Sequence, residues 1–479
     1  MSRLARNGRP PFPSIPSLGW EVADIAAGAY AASQTAWTPY EQFVRATPSR
    51  GTNAPSERPD MSHSLQKSQP PLNMATLKAS LAVSGLDLDR LSVQMRTHRD
   101  EADRTGKIPD AFWLSATVRA LNLNLVPSEY GGCPEVQSLA SRVMLMEYLG
   151  YADASLALAL PGPGLAMPPV LALANEQQQS TFFARFHCDA PRWGAFAITE
   201  PECGSDATAM HTSARKTARG WVLNGTKCFI TNGARADTVI TFATINRNAG
   251  RFGIRAFRIE HDTPGFSVLR IERMAGLRAS QLAVLSYADC EVPDDARLTR
   301  DGASPLSDAF SGAQQSWDYF RPLLSAVMIG TCRRVRDELA TYFESGARPT
   351  DKRWSASDVH TWLLDLDRHI ATARLLCHHA AWHADQDSTS AMHASIAKAY
   401  AARVTAHVTR TALTLAGLDG IAHCPSLEQS CRDAKAFDIM EGTGDMQRLM
   451  IARAAQRALQ MPWEPVANGP SPPASLPHS

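Results

Sequence analysis

Phe196-Ala197-Ile198-Thr199-Glu200-Pro201-Glu202-Cys203-Gly204-Ser205-Asp206 is a short apolar run that passes into a loop with a proline, a glycine and several small hydroxyl or acidic side chains. The run reads as a strand. Such a loop either presents backbone N–H groups and a hydroxyl to a polar planar ligand or is a plain connection. It stands just past Trp193, where the texture of the chain changes. From there to about Arg300, short apolar runs alternate with turn signals at Arg219-Gly220, Asn224-Gly225, Asn232-Gly233 and Pro264-Gly265. Val222-Leu223, Thr238 to Ala243, Ile254 to Ile259 and Ala283 to Tyr287 read as strands, which predicts a β domain over residues 193–304.

The flanks have a helical texture. Between 76 and 192, Leu77, Leu81 and Leu86, then Phe112, Leu114, Val118 and Leu121, fall near a 3.6-residue period. Ser155 to Leu173 is apolar and rich in Ala, Gly and Pro, as in a buried helix pair with a sharp turn. Over 305–460 the helical period returns in segments long enough for a four-helix bundle. The expected organisation is therefore helix–sheet–helix, mostly α with a central β domain. Residues 1–75 hold 10 of the 31 prolines and read as an irregular extension, with one short helix near Glu21 to Ala32. Arg3, Arg6 and Arg9 hint at a transit peptide, but Pro10, Pro11, Pro13 and Pro16 would break the helix it needs. Residues 461–479 carry six prolines and read as a flexible tail.

Composition narrows the function classes. The chain has 479 residues, 44% hydrophobic and 20% charged, with Lys+Arg 48 against Asp+Glu 47. That balance gives no basic footprint for nucleic acid. No run of 18 apolar residues is present, so no membrane span is expected. The nine cysteines are odd in number and form no C-x-x-C pair, which points to reduced thiols and a cytoplasmic setting.

Three further segments carry chemistry. Gly225-Thr226-Lys227-Cys228-Phe229-Ile230-Thr231-Asn232-Gly233 reads as a hairpin or as an aromatic strand presenting a turn. Trp317-Asp318-Tyr319-Phe320-Arg321-Pro322 places an acid and a base three apart at the start of a long helix, an ion pair on its surface. Glu441, in Ile439-Met440-Glu441-Gly442-Thr443-Gly444-Asp445-Met446-Gln447-Arg448, lies between an apolar stretch and a glycine. It either caps the helix beginning near Met446 or serves as a proton acceptor at an apolar pocket wall.

In order and content these segments resemble the acyl-CoA dehydrogenase family, over residues 76 to 460. Leu125-Val126-Pro127-Ser128-Glu129-Tyr130-Gly131-Gly132, Gly276-Leu277-Arg278-Ala279-Ser280, Asp289-Cys290-Glu291-Val292-Pro293 and Ile451-Ala452-Arg453 add to the likeness. The resemblance implies an N-terminal helical domain, a middle β-barrel and a C-terminal four-helix bundle. It implies FAD as cofactor, held by Phe196, Ile198, Thr199, Gly204 and Ser205 and by Phe229, Ile230 and Thr231, with Arg348, Thr443 and Asp445 contributing. It implies that Ser205, Asp318, Arg321 and Gly442 meet the acyl thioester and that Glu441 is the catalytic base. The implied partners are an acyl-CoA or acyl-carrier-protein substrate, an electron-transfer flavoprotein or other acceptor, and further copies of the chain in a homodimer or homotetramer. A flavoprotein that binds without turnover is the alternative of another class.

The sequence departs from the family at two inter-subunit contacts. An Arg followed three residues later by Phe-Gly is replaced by Tyr342 to Pro349, where Arg348 substitutes from a shifted position. A Gln-x-x-Gly-Gly contact becomes Thr414-Leu415-Ala416-Gly417-Leu418. Asp445 falls where a neutral residue is common. His379 and His383, four apart on a helix, have metal-compatible spacing but no partner visible in sequence, so no metal is expected. Arg333, Arg334 and Arg336 read as a solvated helix face, with the phosphates of CoA or an acidic carrier as the other reading.

Overall fold

The computed structural model describes residues 73–300, 309–345, 354–386 and 391–460. The expectations for residues 1–72, for Arg348 and for the tail lie outside them. The described part runs helices, sheet, helices.

Helix α1 (Met74–Val83) buries Leu77 and Leu81, and α2 (Leu88–Thr105) starts on an Asp87 cap and ends at Gly106 in a left-handed conformation. The periodic stretch from Phe112 to Leu121 is not one helix. It splits into single turns at Asp110–Trp113, Ala116–Arg119 and Leu121–Asn124. Ser115 accepts a hydrogen bond from Val118 N and restarts the chain, which leaves Leu114 exposed. Helices α3 (Leu139–Ala152), α4 (Ala154–Ala159), α5 (Met167–Leu173) and α6 (Glu176–Ala184) follow; α4 and α5 are the buried pair expected between Ser155 and Leu173.

Seven strands form one mixed sheet: β1 (Gly194–Ala197), β2 (Ser213–Thr217), β3 (Gly220–Ile230), β4 (Thr238–Thr244), β5 (Ile254–Glu260), β6 (Phe266–Ile271) and β7 (Ala283–Val292). The order is β1-β4-β2-β3-β7-β6, with β5 also on β4. β1 runs parallel to β4, with Gly194 opposite Thr238, and β3 runs antiparallel to β7. Every residue of β4 is buried, as its central place requires. One face of the sheet packs with α5, α6 and the start of the bundle through Phe182, Phe242 and Ile254.

The C-terminal part holds α7 (Ala309–Glu344), α8 (Ala356–Asp385), α9 (Ala391–His423), α10 (Ser426–Ile439) and α11 (Gly444–Gln460). Leu339, Tyr342, Leu366, Val408 and Leu427 build one core across α7 to α10. α9 is interrupted at Gly417, whose φ of 62° and ψ of −167° are not helical. α7 also crosses α3 at close range: a Cβ on Gly150 would lie 2.5 Å from the Val327 carbonyl oxygen. Small residues at this crossing tie the first helical part to the bundle.

Candidate functional site

Helix α10 ends at Ile439 and α11 starts at Gly444. The chain turns between them through two successive left-handed residues, Glu441 at φ 54° and Gly442 at φ 88°. A glutamate there is strained by about 1–2 kcal/mol, so the surroundings must hold it in place. Three buried side chains do so. Arg321 Nε donates to the Glu441 carbonyl at 3.2 Å, and Gln447 Nε2 donates to both the Glu441 and Gly442 carbonyls at 3.1 and 3.0 Å. Lys398 Nζ donates to the carbonyls of Gly442 and Asp438 at 2.7 and 3.1 Å. Among the described residues the Glu441 N–H has no acceptor, so it remains available to a ligand carbonyl.

Glu441 lines an apolar cleft together with Leu324, Phe320 and Met440. Burial pushes its carboxyl pKa up; Arg321 and Lys398 work against this without cancelling it. The same burial pulls the Lys398 ammonium down to about 8. A carboxylate poised above its ordinary range, in an apolar wall, is a better base near neutral pH.

Arg321 is itself paired. Its guanidinium meets Asp318 at 2.9 Å, and Gln314 donates to the same carboxylate. The pair is not a surface pair at the start of a helix, as expected from sequence. α7 begins at Ala309, and Arg321 is buried because it faces the Glu441 turn.

Thr231 and Asn232 line the same cleft. They follow directly on β3, whose end is marked by positive φ at Phe229 and again at Asn232, 57° and 58°. Asn232 is anchored by its N–H to Ser280 O and by Nδ2 to Leu158 O, while its buried Oδ1 has no partner among the described residues. Phe229 is 53% exposed. An unspent buried acceptor and a neighbouring threonine in the cleft wall suit a planar ring with N–H and C=O edges.

The Phe196 to Asp206 loop is fastened to β3 by a contact that sequence reasoning missed. Lys227, with no exposed surface, donates from Nζ to Ile198 O at 2.9 Å and meets Glu200 Oε1 at 2.8 Å. Glu200 also accepts from the backbone N–H groups of His211 and Thr212, at 2.6 and 2.8 Å, and Cys228 N donates to Thr199 O at 2.9 Å. Lys227 and the two backbone N–H groups hold the Glu200 pKa below the ordinary range against its burial, while burial draws Lys227 down to about 8.

The remaining expected residues are dispersed. Gly204 and Ser205 are exposed on the loop, and Phe196 packs its ring on Phe242. Ile230 is buried in the sheet core. The Thr443 hydroxyl accepts from Met446 N and caps α11; Asp445 is exposed and pairs with Arg448. The arginine trio is not one solvated face: Arg333 is exposed, but Arg334 is buried and Arg336 half-buried. Arg333 binds Glu147, buried Arg334 binds Glu338 and Ser430, and Arg336 binds Asp367, because α7 is central and its flanks meet acidic neighbours. These guanidiniums are already committed to carboxylates. No helix among the described residues is long and apolar enough to cross a membrane.

Comparison with known proteins agrees with this layout. Family models for the N-terminal, middle and C-terminal domains of acyl-CoA dehydrogenase match residues 91–187, 195–290 and 310–456. An acyl-CoA dehydrogenase of Bacillus subtilis is 31% identical over 329 residues, 68% of this chain and 85% of that protein. The probable acyl-CoA dehydrogenase FadE25 of Mycobacterium tuberculosis is 28% identical over 365 residues, 76% of this chain and 92% of that protein. Among solved structures, butyryl-CoA dehydrogenase from Megasphaera elsdenii superposes with a TM-score of 0.71 at 26% identity, covering 81% of this chain and all of that one. The prolyl acyl carrier protein oxidase AnaB gives 0.64 at 25% identity, over 76% of this chain and 98% of that one.

Proposed function

Because the chain belongs to the acyl-CoA dehydrogenase family and is an oxidoreductase of that class, we propose that it introduces an α,β double bond into an acyl thioester, with FAD as cofactor. The observation that carries this reading is the cleft itself. Glu441, strained and held by Arg321, Lys398 and Gln447, shares that cleft with Thr231 and Asn232. FAD, when bound, supplies the acceptor for the hydride that leaves the β-carbon.

The chain's residues do the rest. The apolar wall takes the acyl chain and excludes water. The free Glu441 N–H donates to the thioester carbonyl oxygen, where negative charge develops as the α-proton leaves. A Glu441 carboxylate oxygen takes that proton, and the C–H electron pair becomes the new C=C bond. Thr231 and Asn232, with Phe229 beside them in the chain, would hold the ring edge, and the orphaned Asn232 Oδ1 would supply an acceptor to it. Ile198 and Thr199 back this edge through Lys227. Gly204 and Ser205, on the exposed loop, would meet the phosphate-bearing part of the cofactor or substrate, and Asp318, Arg321 and Gly442 fix the Glu441 turn. In the full assembly Arg348, Thr443 and Asp445 complete the cofactor contacts. An electron-transfer flavoprotein or another acceptor would take up the electrons, and further copies of the chain would form the working homo-oligomer.

A carrier-protein-bound acyl group is the second reading, favoured by the likeness to the prolyl acyl carrier protein oxidase. The test is an anaerobic titration of the FAD-loaded protein with CoA thioesters of graded chain length and with acylated carrier protein. Bleaching of the flavin by one of them is expected, and its carrier tells the two readings apart. A flavin that no thioester bleaches would leave only a binding module.

A further inference from the structure

The expectation of no metal rested on two histidines. Folding adds a third. His379 and His383 lie on the last two turns of α8, and His393 lies in the first turn of α9. Their ligating nitrogens lie within 4.8 Å of one another. Nε2 of His379 and Nε2 of His383 are 3.2 Å apart. A tetrahedral zinc-like ion with metal–nitrogen bonds of about 2.0–2.1 Å holds its nitrogens roughly 3.3–3.4 Å apart. The His393 ring stacks on His383 at 4.1 Å between centroids and stands 4.7 Å from His379. Turning it towards the shared point is a rotation about χ2, a broad and soft torsion. All three are partly buried rather than solvated.

We propose that His379, His383 and His393 form a binding site for a borderline divalent ion such as Zn²⁺ or Ni²⁺, with water or another small ligand in the remaining positions. Imidazole nitrogen suits these ions, and the i, i+4 spacing of the first two on one helix face presents both to one centre. The ion clips the end of α8 to the start of α9. This site stands apart from the cleft: neither helix end contributes a residue to its wall. Two other clusters suit an ion less well. In Glu200–Cys203–His211 the carboxylate is already spent on Lys227 and two backbone N–H groups. In Asp365–His369–His407 the Arg368 guanidinium lies 2.7 Å from Asp365 and 3.2 Å from His369, where it repels a cation.

The test is calorimetric titration of the chelator-treated full-length chain with Ni²⁺, read beside the shift in thermal midpoint that the ion causes. The wild type should bind one equivalent and gain thermal stability. His393→Gln and His383→Gln should each bind at least about 100-fold more weakly, beyond the 10–100-fold that loss of an outer partner costs, and show no thermal gain. His211→Gln and His407→Gln should bind as the wild type does. Absence of a saturable site in the wild type would overturn the proposal. So would unchanged binding in His393→Gln, or binding lost in His211→Gln or His407→Gln alone.

Discussion

Replacing Lys227 with Met tests whether the buried Glu200–Lys227 pair fastens the Phe196 to Asp206 loop to β3. Both side chains are almost wholly enclosed, at 0% and 4% exposure, and their charged atoms are 2.8 Å apart. Deleting one partner of such a pair leaves an uncompensated buried charge and costs about 3–5 kcal/mol. Glu200 keeps its two backbone N–H donors, which softens its isolation and sets the expectation at the low end, about 3 kcal/mol. The lost hydrogen bond to Ile198 O adds about 1 kcal/mol. The sum is a large share of the roughly 5–15 kcal/mol that a folded domain commonly has. Urea unfolding followed by tryptophan fluorescence measures the loss, and a parallel titration with FAD measures the second consequence, weaker cofactor binding. The double variant Lys227→Met with Glu200→Gln should recover at least about 2 kcal/mol against the sum of the single changes, since it leaves no lone charge. A loss under about 1 kcal/mol for Lys227→Met, with FAD affinity unchanged, would refute the reasoning.

Two further outcomes follow from the same contacts. Asp433 is buried, accepts from Leu277 N at 2.5 Å, and has its pKa pushed up to about 7, by burial first and by the nearby Asp153 charge. Because this lies above the roughly 3.9 of an unfolded aspartate, its contribution is whole below about pH 4 and is lost as pH rises through about 7. Asp433→Asn should therefore gain stability over the wild type between about pH 5 and pH 8, by at most about 4 kcal/mol, as read from unfolding curves at the two pH values. Gly442→Ala should cost about 2 kcal/mol and lower turnover: φ is 88°, and the added Cβ would stand 2.6 Å from Gln447 Nε2, displacing the donor that holds the Glu441 carbonyl. A variant with wild-type stability and turnover would show that the turn is not held from behind.

Much of the fold was legible because hydrophobic period is a local property. The four strands read from Val222, Thr238, Ile254 and Ala283 fall within β3, β4, β5 and β7. Leu77, Leu81 and Leu86 are fully buried, as their spacing implies, whereas Leu114 is exposed because Ser115 restarts the helix one residue later. Thr231 and Glu441, 210 positions apart, were singled out by their local context, and the fold places both in one cleft. What holds them was not legible. Lys227, Lys398 and Gln447 read as ordinary polar residues; their burial depends on carbonyl groups supplied from elsewhere in the chain. Their one faint signal was position, since Lys227 and Gln447 sit inside the two segments that carry the chemistry. The arginine trio misled for the same reason: α7 is central, so Arg334 and Arg336 face protein and only Arg333 stays exposed. His393 was missed because it meets His379 and His383 only after α9 packs on α8.

The central claim, that Glu441 takes the α-proton, is tested most directly by anaerobic stopped-flow reduction of the bound flavin. The wild type and Glu441→Gln are each mixed with the thioester that bleaches the wild type best. The amide keeps the shape of the side chain and removes the base, and a positioned general base contributes about 10²–10⁴-fold. The account predicts that Glu441→Gln retains FAD and thioester binding but bleaches slower by about that factor. Bleaching at the wild-type rate would contradict it and place the base on another residue.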